Sequence, residues 1–151
     1  MRLLNNLLQQ LSAMTVYAHC DLPCGVYDPA QARIEAVSVY GIVKKAADNK
    51  DPDFQMRATL LKEERAELVK HHLWVLWTDY FKPEHLEKFP QLHDLVWKAT
   101  KAAGETKHHN DLETAKALLD AIDEVGKVFA ESKPGYDYEA VVKNTNLQVG
   151  L

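Results

Sequence analysis

The chain has 151 residues, 46% of them hydrophobic, which is enough to bury one core and too few for two ordinary domains. Its formal charge of -4 removes the reason to expect a nucleic-acid partner, because a phosphate-binding protein carries an excess of Lys and Arg. Two cysteines, Cys20 and Cys24, are too few for a disulfide-built secreted scaffold. No apolar run approaches the ~20 residues that cross a bilayer, so no membrane segment is expected.

Residues 1–18 read as an amphipathic leader. Leu3, Leu4, Leu7, Leu8 and Leu11 form one helical stripe, and Asn5, Asn6, Gln9 and Gln10 occupy the opposite face. Those polar pairs interrupt the apolar stretch a secretory signal needs, although Val16-Tyr17-Ala18 weakly resembles a small-residue cleavage site. The cytoplasm is the expected compartment, with export or organelle targeting left open.

From residue 29 the periodicity is helical throughout, and four helices are the natural count. The first follows Asp28-Pro29, where Asp can cap and Pro fits the first turn. Ile34, Val37, Tyr40 and Val43 form its inner face, and Asp48-Asn49-Lys50 ends it. The second opens with the same signal at Asp51-Pro52 and runs to about Tyr80, with Phe54, Ala58, Leu61, Leu68 and Leu76 at helical spacing. A shorter third follows Pro83, restarts near Pro90 and carries Leu92, Leu95, Val96 and Ala99. Gly104 to Asn110 reads as a polar loop. The fourth takes Asn110 as cap with Glu113 three residues on, then Leu112, Ala115, Leu118, Leu119, Ile122, Val125 and Phe129. Residues 134–151 show no firm period and read as a tail, docked irregularly or mobile. The resulting fold class is all-α, an antiparallel up-and-down four-helix bundle.

The chemistry is concentrated ahead of the bundle. His19 directly precedes Cys20, and Cys24 follows after Asp21-Leu22-Pro23, a compact set of soft and intermediate donors suited to a transition metal. The Cys-x-x-x-Cys spacing differs from that of zinc knuckles, and no second Cys/His pair completes a tetrahedral set. On spacing alone a local disulfide, two reduced buried thiols or an adventitious chelate is the favoured reading.

The eleven-residue string His19-Cys20-Asp21-Leu22-Pro23-Cys24-Gly25-Val26-Tyr27-Asp28-Pro29 resembles, position by position, the amino-terminal metal hook of nickel superoxide dismutases. The resemblance continues through Arg33-Ile34-Glu35-Ala36, Arg57-Ala58-Thr59, Arg65-Ala66-Glu67-Leu68 and Asp79-Tyr80-Phe81-Lys82-Pro83 to about Ser132. It implies a leader over 1–18, removed by a processing protease, and a dismutase bundle over 19–133; the tail is longer than the family pattern. One nickel ion per subunit would be held in a square plane by the His19 amino nitrogen, the Cys20 amide nitrogen and the sulfurs of Cys20 and Cys24. The His19 imidazole would join axially. Superoxide would be the substrate and a homohexamer the assembly. The alternative is a non-catalytic carrier delivering nickel or copper with the same chelate, and a second rival is a structural helical oligomer with a Cys20–Cys24 disulfide.

The resemblance also implies that Glu35 and Arg65 position the axial imidazole, against the plain reading of a buried ion pair between helices. Arg65 falls on the Phe54–Ala58–Leu61–Leu68–His72 stripe, where the period asks for an apolar residue. Tyr27 and Tyr80 would flank the route to the metal and order water, against an ordinary packing role. Lys82 would draw in the anion, and Pro23 would fix the turn through a cis bond. His71-His72 and His108-His109 read as surface or cap residues, since helical neighbours do not face one side; His85 and His93 read likewise. Trp74, Trp77 and Trp97 read as core or subunit contacts.

Overall fold

The computed structural model describes residues 24–151. Six α-helices occur in this span: α1 (Ala30–Asp48), α2 (Pro52–Val75), α3 (Pro83–Lys88), α4 (Leu92–His108), α5 (Leu112–Ser132) and α6 (Tyr138–Asn146). α2 runs directly into a π-helical turn, Leu76–Tyr80, closed by the Phe81 amide donating to the Leu76 carbonyl at 2.9 Å. The four long helices pack in a closed ring, α1 on α2, α2 on α4, α4 on α5 and α5 on α1, the pattern of an up-and-down bundle.

Local chemistry sets the starts. The Asp28 carboxylate accepts the Ala30 amide at 2.7 Å ahead of α1, and Asp51 accepts the Phe54 amide at 2.9 Å ahead of α2, each satisfying an amide that the first helical turn leaves without a partner. α5 is capped by Asp111, which accepts from the Thr114 amide at 2.7 Å, rather than by the expected Asn110. The Asn110 side chain is instead turned back to α2, where it accepts a hydrogen bond from Lys62 Nζ.

The bundle interior mixes small side chains with large ones, Leu73 of α2 and Leu92 of α4 among the latter. Ala32, Ala36 and Val39 of α1, Ala66 and Val69 of α2, and Ala99 and Ala103 of α4 are almost wholly buried, facing Leu118, Ile122, Val125 and Phe129 of α5. Small side chains let the helix axes approach, and each fully buried Leu, Ile or Phe contributes about 1.5–3 kcal/mol.

Four further expectations are corrected. Gly104 to Asn110 is not a loop: α4 runs to His108, held by Ala103 and Thr106, both buried. The tail is not irregular, because Tyr138–Asn146 is helical, capped by Asp137 and packed on α1 and α5. Ile34 is 47% exposed, and the buried face of α1 passes instead through Arg33, Val37 and Tyr40. The stripe chosen on α2 is rotated from the true one, although Leu76 just beyond it is buried as expected: Leu61 is exposed while Lys62, Ala66, Val69 and Leu73 are buried. A lysine at the centre of a buried face is invisible to a search for apolar spacing.

Candidate metal centre

His19, Cys20 and Pro23, and with them the expected cis bond, lie outside the described residues. The hook enters at Cys24, which is exposed. Gly25 has φ +71, in the left-handed region that glycine reaches without steric penalty, and the chain turns there so that the Val26 amide donates to Cys24 Sγ at 3.4 Å. Among the described residues no group of three or more His, Cys, Asp or Glu side chains could hold a metal ion. Cys24 is exposed and its sulfur faces a backbone amide, so it fits the chemistry of a soft donor to a transition metal.

Tyr27 returns the hook to the bundle, half-buried, with its ring 5.8 Å from that of Tyr80. Tyr80 closes the π-helical turn, and its hydroxyl shares a 2.8 Å hydrogen bond with Ser132 Oγ at the end of α5. Its ring stacks on His85 at 5.5 Å and packs on Phe129 at 4.4 Å. The wider π turn carries Tyr80 on to the face that meets Tyr27, a departure from α geometry of the kind often found at functional sites. His85 is the cap residue that the sequence offered: besides stacking, its Nδ1 accepts the Lys82 amide at 3.0 Å at the start of α3. Lys82 itself is exposed, open to solvent beside Phe81 and Tyr80.

Glu35 of α1 and Arg65 of α2 pair as expected, Arg65 Nη1 to Glu35 Oε2 at 3.2 Å, with Glu64 at 3.5 Å from the other end of the guanidinium. Their side chains are 14% and 32% exposed, so the pair lies at the bundle flank and not on the buried α2 stripe to which periodicity assigned it. Trp77 packs on His93 at 5.3 Å, whereas Trp74 and Trp97 are 46% and 56% exposed and are not core residues. No described helix is long and apolar enough to cross a membrane.

Sequence reasoning missed a second cluster. Arg33 is 1% exposed and donates from Nε to Asp123 at 2.8 Å, from Nη2 to Asn146 at 2.9 Å and from Nη1 to Thr145. Tyr138 donates to the same Asp123 at 2.9 Å, and burial, followed by the Asp123 charge, pushes its hydroxyl well above the ordinary tyrosine range. Tyr136 donates to Asp28 and is pushed up in the same way, first by burial and then by that hydrogen bond. The one available signal was Gly126, a glycine in the middle of a strongly periodic helix, which marks a close approach.

Residues 14–133 match the family model of nickel-containing superoxide dismutases. The nickel superoxide dismutase of Streptomyces coelicolor (strain ATCC BAA-471 / A3(2) / M145) is 58% identical over 120 residues, 80% of this chain and 92% of the relative. That of Streptomyces seoulensis is 59% identical over 118 residues, 78% of this chain and 90% of the relative. Among solved structures, native nickel superoxide dismutase at 1.30 Å superposes with a TM-score of 0.74 at 58% identity, covering 76% of this chain and 97% of that one. The enzyme with nickel ligation of the oxidised state gives 0.73 at 59% identity, with coverage of 76% and 97%. These relatives are dismutases, and the carrier alternative finds no support among them.

Proposed function

Since the chain belongs to the nickel-containing superoxide dismutase family, a nickel enzyme that disproportionates superoxide to dioxygen and hydrogen peroxide, we propose that His19, Cys20 and Cys24 hold its metal. The His19 amino nitrogen and imidazole, the Cys20 amide nitrogen and both sulfurs would hold it. When bound there, nickel supplies a one-electron Ni(III)/Ni(II) couple, which sulfur and amide donors bring within reach of superoxide. The exposed Cys24 sulfur, backed by the Val26 amide and leaning through Tyr27 on Tyr80, is the observation that carries the assignment.

The His19 nitrogen can donate a lone pair only as a free amine, because in the Ala18–His19 peptide that pair is tied up in amide resonance. Removal of residues 1–18 by a protease therefore generates the site, leaving 19–133 as the catalytic domain and 134–151 as an extension of it. Glu35, held by Arg65, would orient the His19 imidazole. Tyr27 and Tyr80 border the approach and order water, with Tyr80 fixed by Ser132. Lys82 places a positive charge beside that approach and raises the local concentration of the anion. Exposed Met56, Leu60 and Trp97 favour burial between copies, and a cytoplasmic homohexamer is the proposed state.

Mass spectrometry with metal analysis and pulse radiolysis tests the site on two forms of the chain. The form beginning at His19 should bind about one nickel per subunit, since the chain offers one such donor set, and dismutate superoxide. The verified uncleaved form should show little activity. Full activity of uncleaved, nickel-loaded protein would overturn the assignment.

A further inference from the structure

The family match ends at residue 133, yet the chain continues into a segment that is docked at two places. At its far end Tyr138 lies over Gly126, where a Cβ would sit 2.0 Å from the Tyr138 ring, so α5 lacks a side chain where the extension inserts one. The Tyr138 hydroxyl reaches Asp123, and buried Arg33 ties Asp123 to Thr145 and Asn146. α6 is thereby locked to both α1 and α5.

At its near end the extension meets the root of the hook. Tyr136 donates to Asp28 Oδ1, the same oxygen that accepts the Ala30 amide at the start of α1. Lys133 Nζ donates to the Tyr27 carbonyl at 3.3 Å and lies 5.2 Å and 5.8 Å from the ring centroids of Phe129 and Tyr136. Tyr136 packs edge-on to Phe129 at 5.0 Å, Phe129 lies 4.4 Å from Tyr80, and Tyr80 lies 5.8 Å from Tyr27. The contacts close a circuit from Tyr27 through Tyr80, Phe129 and Tyr136 to Asp28, the residue next to Tyr27.

We propose that the C-terminal extension, together with Lys133 just ahead of it, anchors the metal loop, with Tyr136 and Lys133 as positioning residues that fix the loop's root at Tyr27 and Asp28. Tyr27 is three positions from Cys24, so fixing its carbonyl and the next side chain fixes the point from which the sulfur-bearing loop leaves the bundle. A loop rooted at one end loses less conformational entropy on closing around a metal, and it offers the metal fewer ways to leave. The proposal rests on Cys24 being a ligand.

The test uses the full chain beginning at His19, loaded with nickel and challenged with excess chelator. Tyr136→Phe keeps the ring and removes the hydroxyl, and nickel release should become about tenfold faster, the scale of one hydrogen bond to a carboxylate. Lys133→Met should act in the same direction and serves if the first variant does not fold. Leu147→Ala, at a position 72% exposed beyond α6, should release nickel at the wild-type rate. Asp28→Ala should also accelerate release, and adding Tyr136→Phe to it should change nothing more, because the two act through one contact. Wild-type release rates in Tyr136→Phe and Lys133→Met, or additive effects in the double variant, would overturn the proposal. Retention of nickel by Cys24→Ser would instead sink the ligand assignment and leave the anchor measurement readable by itself.

Discussion

Lys62 of α2 is buried, 1% exposed, against the connection between α4 and α5, with its ammonium donating to the His109 carbonyl at 2.7 Å and to Asn110 at 2.5 Å. Burial lowers its pKa from the ordinary 10.5, with Glu63 and Asp111 opposing. The folded chain then holds this proton more weakly than the unfolded one. Below the lowered value both states are charged and the whole desolvation penalty opposes folding; the penalty fades as pH rises from that value toward 10.5. Lys62→Met should be about 1–3 kcal/mol less stable at neutral pH, since it leaves two acceptors unmet. Its deficit should widen as pH climbs toward 10.5, and thermal melts of both proteins across that range check the sign. At Arg65 the magnitudes separate two roles. A pair this exposed contributes less than about 1 kcal/mol to stability, so Arg65→Ala should barely move the melting temperature. If the pair orients the axial imidazole, dismutation should fall about 10–100-fold. Pulse radiolysis beside calorimetry reads both, and intact activity would remove Arg65 from the site.

Helices that begin with Asp-Pro were legible because the cap and the proline act within one turn. The end of α4 and the existence of α6 were not. Gly104 reads as a breaker, yet in α4 a Cβ there would meet only the Lys70 side chain, 3.8 Å away, and burial of its neighbours carries the helix through. α6 has a readable cap in Asp137, but Tyr138, Thr145 and Asn146 dock on Arg33, Asp123 and Gly126, which lie far away in the chain. The same limit governed the candidate site. Cys24, Tyr27 and Tyr80 could be named from a local motif, and Glu35 with Arg65 from matching segments. The Tyr136–Asp28 bond spans 108 positions and leaves no local trace. Gly126→Ala weighs two opposed effects in α5. Helix propensity alone favours Ala by about 1 kcal/mol, whereas evicting a buried aromatic costs about 3–5 kcal/mol. The variant should therefore lose about 2–4 kcal/mol net on those figures. In a Tyr138→Ala background the same substitution should stabilise by about 1 kcal/mol, and urea denaturation of the four proteins settles the cycle.

The molecule separates its scaffold from its chemistry. The core is closed by four helices from Ala30 to Ser132, and the exposed Cys24 contributes nothing to it. Stripping nickel with a chelator should abolish dismutation while far-UV circular dichroism stays unchanged. Parallel loss of helicity would mean that the metal also holds the bundle together. The aromatic residues divide along the same lines. All three indoles sit on α2, its π-helical turn and α4, at positions 74, 77 and 97, while the C-terminal extension rests on α1 and α5 through tyrosines. Intrinsic emission excited at the red edge, where only indole absorbs, will therefore follow one half of the protein and miss events in the other. Detachment of the last eighteen residues would pass unseen in a tryptophan trace and would show only in tyrosine absorption.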